Sequence, residues 1–180
     1  MNTVWQPNFD WIDAHLAVGC SFPAPEAARL AATHGIAAVV DLRLEDKDDE
    51  AHLLASGITL LHLPTEDRCG VEVSQLEAGV RFACDWIDRG RRVLVHCEHG
   101  IGRSATLALC VLVQRGSEPL DALRRMKDRR ALVSPSPAQF ESWQAWLERH
   151  RRASAASWAV PSFDAFQRIA LCPAHGVLQA

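Results

Sequence analysis

The 180-residue chain contains no long apolar run: its longest uninterrupted stretch, Leu107 to Val113, is seven residues, far short of the ~20 that a membrane helix needs. There is no basic residue before Arg29, so the charged start of a secretory signal is missing. Charge of one sign is not in excess either, because 19 Lys+Arg against 22 Asp+Glu leave a net charge of −3. That balance speaks against a nucleic-acid binder. The GxxxxGK[ST] nucleotide loop is absent, as are internal repeats and low-complexity tracts. What remains is the expectation of a soluble, cytoplasmic, globular domain with a tail, 48% hydrophobic and 23% charged. With no export signal, most of the six cysteines (Cys20, Cys69, Cys84, Cys97, Cys110, Cys172) are expected to be reduced. Reduced thiols permit thiolate chemistry.

Apolar runs alternate with helical patterns along the chain. Strands are predicted at 14–19, at 36–42 (IAAVVDL), at 58–63 (ITLLHL) and at 91–96 (RRVLVH). Between them stand helices over 25–34, 48–56 and 73–89, closed by Gly35, Gly57 and Gly90, with Ser74 able to cap the third. The segment 102–115 is apolar on nearly every side, as a central buried helix is, while 118–130 and 137–152 read as amphipathic helices around it. Ser136-Pro137-Ala138-Gln139 matches a capping box. This rhythm predicts an α/β fold, with a central, mostly parallel sheet of four or five strands flanked by helices. A domain over 1–152 is expected, followed by an extension over 153–180. In that extension Phe163, Phe166 and Ile169 recur at three-residue spacing, enough for one short apolar-faced helix. Arg124, Arg125, Lys127, Arg129 and Arg130 read most simply as a solvated helix surface, with added positive potential for an anionic substrate as the alternative. Cys20, Cys84 and Cys110, flanked by apolar residues, read as core residues.

Between the last strand and the buried helix stands His96-Cys97-Glu98-His99-Gly100-Ile101-Gly102-Arg103-Ser104. A cysteine ending a strand, then five residues and an arginine at a helix start, encloses a concavity whose backbone N–H groups converge on an anion. Gly100 and Gly102 are expected to supply unusual φ/ψ values, with no Cβ to obstruct the ligand. The same donors favour Cys97 as thiolate, and Arg103 brings a planar fork that holds two phosphoryl oxygens. Ser104 is expected to donate to the sulfur as it departs, and His96 to hold the loop by hydrogen bonds. Three neighbouring residues of one tight loop seldom aim at one ion, so a zinc site at His96, Cys97 and His99 is set aside. No metal or cofactor is called for.

These residues resemble the cysteine-based protein tyrosine phosphatases, and in particular their small dual-specificity branch, with its His-Cys-x5-Arg-Ser/Thr motif. The resemblance extends in layout over roughly 9–152. It implies the phosphatase fold, phosphate binding by the loop residues Glu98, His99, Gly100, Ile101, Gly102 and Arg103, and hydrolysis of phosphate monoesters through a phosphocysteine at Cys97. It further implies a general-acid aspartate about 30 residues before the cysteine. Asp67 stands at 97 − 67 = 30 and Glu66 at 31. The substrates implied are phosphorylated proteins or small phosphate esters. The chain has no tyrosine and no segment like the phosphotyrosine-recognition loop of the larger enzymes, which favours a shallow pocket. Loop lysines typical of the lipid and inositol phosphatases are missing. His99 keeps an RNA 5′-phosphate open as an alternative, and a rhodanese-type sulfurtransferase or a phosphoryl-binding pseudoenzyme stand as readings from other classes. Cys69, beside Asp67, is a candidate resolving thiol for oxidised Cys97.

Overall fold

The computed structural model describes residues 5–171. Five strands form one sheet in the order β1-β2-β5-β3-β4: β1 (Phe9–Trp11), β2 (Leu16–Gly19), β3 (Ile36–Arg43), β4 (Thr59–Thr65) and β5 (Arg92–His96). All neighbours run parallel except β1, which pairs antiparallel with β2 at the edge. The short β1 escaped the pattern reading because none of its three residues is fully buried, so it carries no apolar run. The chain reaches α1 (Ala27–His34) through one 3-10 turn (Ala24–Glu26) and leaves it at Gly35, whose φ of 68° needs a glycine. Helix α2 (Glu50–Ala55) is capped by Asp49, whose carboxylate accepts from the His52 N–H at 3.0 Å. Together α1 and α2 cover one face of the sheet, burying Leu30, Leu53 and Ile58 against Ala17, Val39 and Leu94.

The other face carries α3 (Val73–Asp88), α4 (Arg103–Gln114), α5 (Pro119–Arg129) and α6 (Pro137–Ser154). Helix α4 is buried from Arg103 through Val113, which is why its sequence shows no polar stripe. Glu72, rather than Ser74, holds the N-cap position of α3, with no side-chain bond to the helix. Ser136 and Gln139 form the reciprocal capping box of α6. That helix runs through residue 152 to Ser154 and ends at Ala155 in the left-handed conformation.

Helix α7 (Phe163–Ala170) returns against the body of the molecule. Phe166 lies 4.8 Å from Phe140 and 6.0 Å from Trp143, ring centre to ring centre, and both Phe166 and Ala170 belong to the main core. Residues 172–180, including Cys172 and His175, lie outside the described residues. Truncating a buried phenylalanine costs about 3–5 kcal/mol. Phe166→Ala is therefore expected to lower the urea midpoint of the whole domain in one transition; an unchanged midpoint would show that α7 is not part of the cooperative unit.

Candidate active site

Because parallel strands end together, β5 delivers Cys97 to the edge where β3 also finishes, with Asp41 in register beside His96. The next residues turn sharply into α4. Gly100 has φ 64°, and a Cβ there would stand 2.6 Å from the carbonyl of Gly19, so conformation and contact both demand glycine. Gly102 corrects the sequence expectation. Its φ is −118°, open to any residue, and a Cβ there would push on the amide end of the Gln139 side chain.

The Cys97 sulfur is 3.3 Å from the Ser104 hydroxyl. Burial by itself would raise the thiol's pKa, but the Ser104 hydroxyl, the N–H groups of Ser104 and Gly100 and the charge of Arg103 outweigh it. The net effect is a pKa below that of an ordinary cysteine.

Arg103 is almost wholly buried. Its Nη1 and Nη2 each donate to the Glu45 carboxylate at 2.7 Å, and Nη1 also to the Thr65 carbonyl at 2.9 Å. Its Nε is buried without a hydrogen-bond partner. One edge of the guanidinium is thus anchored, and the adjacent Nε–H and second Nη2–H form a two-donor edge. Glu45 was not singled out from the sequence; the hydrogen bond from Arg103 holds its pKa down to about 2. Asp67 stands 3.4 Å from Arg103 Nη2 and is 62% exposed on its side chain. It lines the cleft over Cys97 together with His99, Ile101 and Gly102, whereas Glu66 does not. Glu98 turns away, with its carboxylate 3.6 Å from Arg43.

Two charged assemblies support the loop from behind. His96 Nε2 donates to Asp48 at 2.7 Å and Nδ1 faces the Cys97 carbonyl at 3.4 Å. Burial disfavours its charged form, yet Asp48 and Asp41 prevail and raise its pKa. Arg43 donates to both Asp41 and Asp48 at 2.7–3.0 Å. Asp41, Asp48 and His96 have the spacing of a cation site, but Arg43 already fills it with a guanidinium.

The second assembly is Arg130, which corrects the reading of a solvated arginine face. Arg124, Arg125 and Arg129 are exposed, and Lys127 donates to the carbonyls of Ala131 and Val133. Arg130, one residue past α5, is buried and donates to the carbonyls of Gly100 at 2.8 Å and His99 at 3.1 Å and to Asp10 at 2.8 Å. Helical periodicity could not find it, because its backbone has left the helix (φ −135°). Of the cysteines read as core, Cys110 is buried, Cys84 is half-buried, and Cys20 is half-buried with its sulfur 3.5 Å from Arg130. Cys69 is exposed.

Residues 17–117 match the family described as "Polymorphic toxin system, DSP-PTPase phosphatase". The chain belongs to this DSP-PTPase phosphatase family. It is 43% identical to human dual specificity protein phosphatase 2 over 77 residues, covering 41% of this chain and 24% of that protein. It is 36% identical over 87 residues to rat phosphatidylglycerophosphatase and protein-tyrosine phosphatase 1, covering 47% of this chain and 45% of that one. The chain thus spans less than half the length of these curated relatives. Among solved structures, PTPMT1 shares the fold at TM-score 0.73 and 24% identity, over 82% of this chain and 99% of that one. Tk-PTP in its active form gives TM-score 0.72 at 27% identity, over 81% and 99%. No helix among the described residues is long and apolar enough to cross a membrane.

Two measurements test this geometry. Alkylation of Cys97 by iodoacetate follows the thiolate fraction, so its pH midpoint is expected below the ~8.5 of a free cysteine. In Ser104→Ala the midpoint should move up, because a hydrogen bond to the charged form is lost; equal midpoints would sink the assignment of that bond. Arg130→Met leaves two loop carbonyls unpaired, at about 1–3 kcal/mol each. A lowered urea midpoint and weaker inhibition by vanadate are expected, and no change in either would contradict the clamp.

Proposed function

We propose that this chain hydrolyses phosphate monoesters in two displacements, acting on phosphotyrosyl and other phosphorylated protein side chains. The observation that carries the reading is the unpartnered Nε–H of Arg103, next to an Nη2 with a second N–H to offer, beside a thiol biased toward its anion. Two adjacent donors fixed in a plane match two oxygens of a phosphoryl group and keep hold of them as phosphorus becomes trigonal. Glu45 supports the same role by orienting the guanidinium from its other edge.

In the first displacement the Cys97 sulfur bonds to phosphorus, the bond to the ester oxygen breaks, and Asp67 gives its proton to that oxygen. In the second, water attacks phosphorus and returns a proton to Asp67. The sulfur–phosphorus bond then breaks, with the Ser104 hydroxyl donating to the thiolate that leaves. The N–H groups of the loop from Glu98 to Arg103 receive the phosphoryl oxygens, and His96 keeps the Cys97 carbonyl turned away from them. Phosphoryl transfer of this kind needs chiefly position and charge stabilisation.

A domain over 1–152 with an extension over 153–180 is kept as the working division of the chain. The loop holds Glu98, His99 and Ile101 in place of lysines, which supports a substrate with one phosphate over a polyanion. Assay with p-nitrophenyl phosphate tests the reading. Cys97→Ser should abolish turnover, and Arg103→Lys should lose more than about tenfold, because its charge stays but the fork is gone. Asp67→Asn should slow a phosphotyrosyl peptide by roughly 10²–10⁴ and an ester of a very acidic phenol far less. Turnover by Cys97→Ser above about a tenth of wild type would overturn the phosphocysteine route. A large leaving-group-dependent loss in Glu66→Gln, with Asp67→Asn nearly normal, would transfer the acid role to Glu66.

A further inference from the structure

The cleft over Cys97 does not end at the phosphate loop. Its volume is about 870 Å³, and α7 forms one wall, so that Phe163, Gln167 and Leu171 share it with Cys97, Ile101 and Pro137. Sites of ~300–1,000 Å³ hold whole drug-sized ligands, and a phosphoryl group fills only a small part of that space. The wall is firmly built. Phe163 and Phe166 pack on Phe140 at 5.2 and 4.8 Å, and the Ser162 hydroxyl caps α7 by accepting from the Ala165 N–H at 3.2 Å. The Gln144 amide donates to the Pro161 carbonyl at 3.3 Å, holding the approach to the helix.

When a substrate's phosphate lies over Cys97, the part of that substrate that reaches this wall is the leaving group and its surroundings. The character of the wall selects among leaving groups. Leu171 is 66% exposed and presents apolar surface, but Gln167, which lines the same cleft, adds an amide with two donors and an acceptor. Arg68, across the cleft, adds a cation. A peptide uses all three, through an apolar side chain, its backbone amides and an acidic neighbour, whereas an acyl chain uses only the apolar surface.

We propose that α7 forms a subsite for a large apolar side chain next to the phosphorylated residue of a peptide substrate, with Phe163 and Leu171 setting the preference. The inference rests on Cys97 being the phosphatase nucleophile. It gives the helix after α6 a part in choosing substrates.

The test compares kcat/KM for two phosphotyrosyl peptides that differ only in Leu or Ser beside the phosphotyrosine, with p-nitrophenyl phosphate as a reference that lacks flanking residues. Wild type should prefer the Leu peptide by roughly tenfold or more. Leu171→Asp, at an exposed position, and separately Phe163→Ala should bring that ratio close to one, chiefly through KM on the Leu peptide. Equal use of both peptides by a wild type active on p-nitrophenyl phosphate would overturn the subsite and leave the phosphatase reading standing. A wild type inactive on all three would overturn both. Faster hydrolysis of dihexanoyl phosphatidic acid than of the Leu peptide, sensitive to Leu171→Asp, would assign the wall to acyl chains and overturn the peptide subsite.

Discussion

A buried sulfur biased toward its anion is the constraint around which this molecule is arranged. Taking Cys97 out of water favours its neutral form, and only donors fixed at short range reverse that preference. Such donors help only while they stay aimed, because a loop of seven residues with two glycines has little stiffness of its own. The stiffness is supplied from outside the loop.

It is supplied by paired charge. Behind the loop Asp41, Asp48, Arg43 and His96 form a buried set in which two carboxylates meet a guanidinium and an imidazole whose pKa they raise. Breaking such a set is costly because the partner left behind is a buried charge. On the other side Arg130 binds two loop carbonyls and, through Asp10, the edge strand β1. Those carbonyls are held facing Arg130, which keeps their oxygens from turning toward the anion. Arg103 is steadied in the same way from Glu45 and Thr65. The floor of the cleft is therefore braced from both sides, whereas the Asp67 side chain in front of it is mostly exposed and stands 3.4 Å from Arg103. The contrast is in keeping with the proposed roles, a proton donor at Asp67 over a nucleophile at Cys97.

The wall built by α7 adds a second scale to the same cleft. In the proposed reaction the loop and helix α4 address a group the size of phosphate, while α7, Pro137 and Arg68 line the space beyond it. The two parts meet at the start of α6. There Gln139 closes the capping box and abuts Gly102, and the Ser136 hydroxyl donates to the Arg68 carbonyl. One short stretch of chain thus touches the phosphate loop, the Asp67 loop and the cleft wall.

Much of this was legible in the chain itself. Continuous apolar runs marked the parallel strands, because a strand buried on both faces has no polar alternation. The spacing from Cys97 to Arg103 identified the anion loop, because those residues are consecutive and their geometry is local. The capping box at Ser136 and Gln139 was readable for the same reason. Tertiary structure decided everything that depends on distant segments meeting: Glu45 on Arg103, Arg130 on the loop carbonyls, Gln139 against Gly102, and α7 in the cleft. Glu45 lies 58 residues from Arg103 and Arg130 lies 30 from Gly100. No periodicity links such pairs, and a buried arginine and a solvated one look alike in sequence until the fold brings an acceptor to one of them.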